Sequence, residues 1–552
     1  MQNGRTRMTN RGASRLVRGA RMAVVAGAAI VAAGVGSLVL APEPAVAQAP
    51  AGEQGLPGST TATPPGGVLL GPQVYNLDDD LLQWPLPAAD KTYGAIDGKH
   101  IHSYVEDLAA ISRKYRDSGH PQFWGRIIGT QADYDTAQWV QDKFTKAGLS
   151  DVHIQPFDLP PQWMPQSWGI TATGGGQTLH LDTAQPAYQT PGTSGGGLDL
   201  EAVYVGTGSE ADYFGKDVKG KAVFIFSMPL PGSWRHTDTA EDALRRAESK
   251  GAAAIFTIIA LPGNIRTQLY PTRTNVPTFS MGMNDGYAMR DLIGKAGASN
   301  PPHVKVKLDV QMTPNLKTGT VWGTLPGTTD EKIVVIAHRD GWFEGGSDNA
   351  SGVATMVGLA EYFARIPKAQ RKRTIIFMGT TGHHNGGNMS GTWLLTHRNT
   401  IFDPKTALLI NCEHTATLQT YLLGEAIRES NTATGMLWYA GGPRRPKLQN
   451  IAIDAFKEFG VATYARPEVA APGGEMSGLW PYVAGVQASD YNQYFHSDQE
   501  GPDKVPWTGL ESIVRAYAKI IDNVNKLPLS DLVRDPEPPN GVQAPLAPPE
   551  GH

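Results

Sequence analysis

The chain has a single cysteine, Cys412, among 552 residues. That excludes a disulfide within the chain and a lipid-bearing cysteine near the N-terminus, so stability must come from packing or from bound metal. Positive charge is not in excess either: 48 Lys and Arg face 52 Asp and Glu. Residues 1–47 hold six of those arginines and one glutamate; without them 42 basic and 51 acidic residues remain, a net charge of −9. A chain with that balance has no electrostatic reason to bind nucleic acid. No internal repeat is visible, and Gly387, Asn388 and Gly391 lack the spacing of a phosphate-binding loop. What is present is a globular composition, 40% hydrophobic and 18% charged, in a length that exceeds one core and calls for two or more domains.

The two ends carry little that could fold. Arg5 to Arg21 precede an apolar run from Met22 to Ala41, and Ala45-Val46-Ala47 offers a small-residue cleavage site, the pattern of an export signal over residues 1–47. The mature protein is then secreted or periplasmic, and it touches a membrane only where the apolar run stays uncleaved as an anchor. Residues 48–72 are rich in Gly, Pro, Thr and Ala and read as a linker, and residues 528–552 as a disordered proline-rich tail.

Chemistry concentrates in KIVVIAHRDGWFEGGSDNASG, Lys332 to Gly352. Ile333 to Ala337 form a short, β-branched, apolar run of the kind that makes an inner parallel strand. It delivers His338, with Asp340 two residues on and Asp348 ten residues on, into a glycine-rich loop that opens a helix. If the strand continues, Asp340 shares a face with His338, accepts its hydrogen bond and leaves the other ring nitrogen for a cation. A histidine satisfied within the core at a strand end is the plainer alternative. Helical spacing recurs at Ile101, Tyr104, Val105, Leu108 and Ile111, at Tyr134, Ala137, Val140 and Phe144, at Val353, Met356, Val357, Ala360 and Phe363, and at Leu510 to Val524.

His-x-Asp followed by Asp-Asn-Ala-Ser-Gly resembles the zinc aminopeptidase and glutamate-carboxypeptidase superfamily, and HRDGWFEGGSDNASG is most like its glutamate-carboxypeptidase and transferrin-receptor branch. The resemblance implies a zinc-exopeptidase-like three-layer α/β/α domain with a mixed, mostly parallel sheet, split into residues 73–159 and 311–527. Residues 160–310 change texture to short strands and glycine turns, GKDVKGKAVFIF and GAAAIFTII among them, and resemble an inserted α/β protease-associated domain. In the family two adjacent glutamates, a general base and a metal ligand, follow the next strand; here TIIFMGTTGHHNGG places His383 and His384 there.

Position by position, the resemblance implies one Zn2+ on His338, Asp348 and Glu413 and a second on Asp348, His384 and His496. The second is expected to be held less tightly, because the altered pair removes negative charge. Asp340 is expected to orient His338, and His383 to act as proton acceptor; an exposed polar loop at His383-His384 without a role is the alternative. His414 is expected to point away from the site, Cys412 to be a small buried residue, and GGEMSGLW, Gly473 to Trp480, to be a substrate loop or a plain turn. The function implied is a zinc exopeptidase acting on the terminal amide of peptides or acyl-amino acids. A non-catalytic receptor-like protein and an acyl transferase of glutaminyl-cyclase type are the alternatives.

Overall fold

The structure is a computed structural model that describes residues 83–532 apart from 231–235, 241, 298, 386–388, 424–425, 430–436, 441–444, 462–473, 480–481 and 490. The export signal, the linker, Gly387, Asn388, Gly473, Trp480 and the tail from residue 533 lie outside the described residues. No helix among the described residues is long and apolar enough to cross a membrane.

A seven-stranded sheet positions the site. In chain order its strands are β1 (Ser150–Asp158), β2 (Lys317–Leu325), β3 (Lys332–His338), β4 (Thr374–Thr380), β5 (Thr406–Cys412), β6 (Leu437–Ala440) and β7 (Gly485–Ser489), arranged β6-β7-β5-β3-β4-β2-β1. The inner four, β7, β5, β3 and β4, run parallel, and antiparallel strands close both edges. The α/β expectation with a mixed sheet is met.

The central strand β3 is buried on both faces, which is what its uninterrupted apolar run requires. Ile333, Val335 and Ala337 join the large core beneath the helices, whereas Val334 and Ile336 pack with Leu394, Phe402, Met476 and Leu479 on the other side. Five helices matter here: α1 (Gly98–Asp117), α2 (Gln131–Lys146), α3 (Gly352–Ala364), α4 (Pro446–Glu458) and α5 (Trp507–Lys526). Asp97 caps α1 by accepting from the Lys99 and His100 amides, and Thr130 caps α2 through the Asp133 amide. Helix α3 is buried almost all round, more than a one-faced helix would be, because it lies between the sheet and both α1 and α5. Gly352 opens it, and a Cβ there would strike the Cys412 carbonyl, so α3 meets the end of β5 at van der Waals distance.

Between β1 and β2 the chain builds a separate eight-stranded sheet from residues 162–174, 177–180, 185–186, 198–204, 222–227, 254–259, 278–281 and 303–313, with its own cores. A loop of this insert reaches the segment that follows β7 of the seven-stranded sheet. The Gln268 amide donates to the His496 carbonyl at 2.9 Å, the Asp498 amide to the Arg266 carbonyl at 3.1 Å, and Thr267 bridges Ser497.

One side chain ties the strand ends together. Asn349 Nδ2 donates to the carbonyls of His338 at 3.1 Å and Cys412 at 3.0 Å, while its Oδ1 accepts from the amides of His414 at 3.0 Å and Gly352 at 3.2 Å. Asn349→Ala leaves these buried groups unsatisfied and is expected to lower stability by about 2–4 kcal/mol, read as a shift in the urea midpoint; an unchanged midpoint contradicts the tie.

Candidate metal centre

Because β3, β4, β5 and β7 are parallel, their carboxyl ends share one edge, the usual location of a site in an open α/β sheet. His338 ends β3, His383 and His384 follow β4, Glu413 and His414 follow β5, and His496 follows β7. Asp348 enters from the turn before α3. All seven meet in a buried pocket: Asp348 and His414 are each 1% exposed, and His496 is 5% exposed.

Asp348 is the hub. Its Oδ1 faces His338 Nε2 at 3.3 Å and His414 Nε2 at 3.1 Å; its Oδ2 faces His384 Nε2 and His496 Nε2, both at 2.8 Å. Two donors bound to one tetrahedral zinc lie about 3.3–3.6 Å apart, so each carboxylate oxygen and its two imidazoles fit a cation with slight widening. His338 Nε2, Asp348 Oδ1 and His414 Nε2 are also buried without a hydrogen-bond partner. Native interiors rarely leave three such atoms facing one another, and a cation between them satisfies all three.

Placement departs from the sequence reading at three points. First, His414 rather than Glu413 reaches Asp348. The strand ends at Cys412 and His414 adopts a positive φ of 48°, so alternation along the strand no longer decides its direction. Glu413 instead shares a donor cluster with His338, His383 and Glu475.

Second, the Asp340 carboxylate does not hold His338. It lies 3.7 Å from His338 Nδ1, which approaches the Asp340 backbone carbonyl at 3.2 Å. Its two oxygens accept from the amides of His383 at 3.2 Å and His384 at 2.8 Å and pair with His384 Nδ1 at 3.2 Å. The cause is the same, since β3 stops at His338 and the chain has turned before Asp340.

Third, His383 turns away from Asp348. Its Nδ1 meets Glu475 Oε1 at 3.1 Å, its Nε2 meets the Tyr270 hydroxyl at 3.3 Å, and its ring stacks on His338 with centroids 4.1 Å apart.

Four further residues shape the pocket. Glu500 accepts from the amides of both Asp348 at 2.8 Å and His496 at 2.7 Å, fixing two ligand backbones with one carboxylate. Arg126, fully buried, donates to the carbonyls of Arg339, Glu344 and Gly345 and so holds the loop that carries Asp348. Tyr270, from the inserted sheet's loop, lies edge-on to His496 at 4.8 Å, and Trp342 lies 4.6 Å from His384. A small recess bounded by Ile127, Ile128, Tyr188, Asp340, Gly341, Trp342 and His384 adjoins them. Glu475 lies in the GGEMSGLW segment read as a substrate loop or a plain turn, and Glu500 in SDQE, but the sequence reading singles out neither as a site residue. The GGEM and SDQE contexts alone say nothing of direction.

Among the protein groups themselves, burial disfavours every charge, and neighbours decide the outcome. Burial lifts Asp348, but His384, His414 and His338 outweigh it and hold the carboxylate well below its usual range. Burial would lower His338, yet Glu475, Asp340 and Asp348 raise it well above 6.5, and His384 is raised by the same two aspartates. His496 goes the other way: burial, with charge on His384 and His414, pushes it down to about 3 despite Asp348. Burial and the Asp348 charge raise Glu500 well above its ordinary value.

Residues 320–521 match the model of peptidase family M28. Among solved structures the chain is similar to BSAP, a zinc aminopeptidase from Bacillus subtilis, with a TM-score of 0.57 at 17% identity over 79% of this chain and 98% of that one. It is similar also to a peptidase M28 precursor from Shewanella amazonensis, with a TM-score of 0.57 at 18% identity over 78% and 97%. An aminopeptidase from Aneurinibacillus gives a TM-score of 0.50 at 16% identity over 82% and 97%. At these identities the likeness is one of fold.

Metal can replace protons only on deprotonated imidazoles. His338 and His384 hold theirs above the ordinary range, so zinc affinity is expected to keep rising with pH beyond 6.5 and binding at pH 7.5 to release protons. At that pH a histidine of ordinary pKa, about 6.5, is already about nine-tenths neutral. Calorimetric titration in two buffers of different ionisation enthalpy measures the release; none at pH 7.5 contradicts the assigned electrostatics.

Proposed function

With residues 320–521 matching the model of peptidase family M28, we propose that the chain is an exported zinc exopeptidase whose metal centre is built from four imidazoles on one bridging carboxylate. The observation that carries this reading is the pairing at Asp348, where each carboxylate oxygen faces two histidine nitrogens within 3.3 Å. His338, His414 and Asp348 would hold one cation, and His384, His496 and Asp348 the other. Zinc bound there would supply a Lewis acid for the scissile carbonyl and activation of water.

The remaining residues keep this geometry. Asp340 accepts a hydrogen bond from His384 Nδ1–H, which leaves Nε2 for the cation. Glu500 fixes the backbones of two ligands, and Tyr270 and Trp342 cover the histidine rings, limiting water and substrate size. His383 is not given the proton-acceptor role, because its nitrogens face Glu475 and Tyr270 rather than Asp348. The altered pair after β4 therefore serves the centre through His384. The substrate is a peptide or acyl-amino acid cleaved at its terminal amide. Two of the similar structures are aminopeptidases, so peptides with a free N-terminus are the first to try. The signal pattern in residues 1–47 supports action outside the cytoplasm.

Zinc-loaded protein is expected to release terminal residues from short peptides, with activity lost on chelation and restored by zinc. Asp348→Asn is expected to reduce kcat/KM by about a hundredfold or more, since the shared ligand and the activation it organises go together. Zinc binding with no hydrolysis of free, acylated or carboxyl-terminal substrates would replace the peptidase reading with a metal-binding one.

A further inference from the structure

Glu413, displaced from Asp348, has company. One donor atom each from His338, His383, Glu413 and Glu475 lies within 4.8 Å of the other three. Glu413 and Glu475 are 2% and 1% exposed. Among the described residues neither is ion-paired to a lysine or arginine; Glu475 pairs with His383. Two buried carboxylates facing each other carry a desolvation and repulsion cost that a protonated imidazole or a bound cation must offset.

The cluster is built rather than incidental. Asn411 Nδ2 donates to Glu413 Oε2 at 2.7 Å and to Gln487 Oε1 at 2.8 Å, which fixes the Glu413 carboxylate from behind. Glu475 Oε1 lies 3.1 Å from His383 Nδ1, close to the spacing of two ligands on one tetrahedral ion. Glu475 Oε2 is buried with no hydrogen-bond partner. Gly474, at a φ of 58°, permits the approach, since a Cβ there would overlap the Glu413 carboxylate.

We propose that His383, Glu413 and Glu475 form a third cation position, separate from the two on Asp348, that takes a divalent first-row transition ion. One imidazole and two carboxylates suit zinc or manganese, and the two negative charges balance one dication. His338 borders this position but serves Asp348 through Nε2. The proposal shares with the preceding section the reading of the pocket as a cation centre, but it uses its own donors.

Anomalous diffraction from wild-type crystals grown with three equivalents of zinc tests it without any variant. The expected result is a peak among His383, Glu413 and Glu475 besides two at Asp348. In solution, zinc bound per chain after gel filtration is expected to fall from three to two in Glu475→Gln and to one in Asp348→Asn. Peaks at Asp348 alone, or an unchanged zinc content in Glu475→Gln, overturn the third position and leave the Asp348 centre standing. A peak at His383, Glu413 and Glu475 with none at Asp348 does the reverse.

Discussion

The structure depends on one carboxylate that four imidazoles approach from both ends. Asp348 alone would be costly at 1% exposure, and the histidines around it would each resist charging in a dry pocket. Together they are compatible, because either protons or metal ions between nitrogen and oxygen settle the charges. This explains why so many titratable groups tolerate the end of an apolar sheet.

Holding that convergence is the task of the surrounding hydrogen bonds. Glu500 fixes the Asp348 and His496 backbones, Asn349 joins the ends of β3 and β5, Asp340 orients His384, and Arg126 grips the loop between His338 and Asp348. The ligands come from four strand ends and one turn, far apart in sequence, so their relative positions are set by the parallel sheet. Side-chain and backbone ties then remove the last freedom. The inserted sheet contributes through Tyr270 and through its pairing to the His496 loop.

The sequence made the fold legible where burial pattern and geometry coincide. The β-branched run of β3 announced an inner strand, and the spacing in α1 and α5 announced helices that cover the sheet. His338 and Asp348 could be named from the strand and the glycine-rich loop after it, and His384 and His496 only through the family resemblance. What could not be extrapolated is direction after an element ends. His414 turns through a positive φ to reach Asp348, the chain turns before Asp340, and Glu475 arrives from a glycine turn with no periodic signal. In each case a local backbone conformation outweighs the strand alternation that sequence reasoning must assume.

If Asp348 bridges two cations, a single isosteric change must remove both. Calorimetric zinc titration of wild type and Asp348→Asn measures this directly, because asparagine removes the negative charge that both cations share and its amide nitrogen cannot replace the second carboxylate oxygen. The account predicts that both ions bound through His338-His414 and His384-His496 are lost together in the variant. Retention of both at wild-type affinity would contradict it.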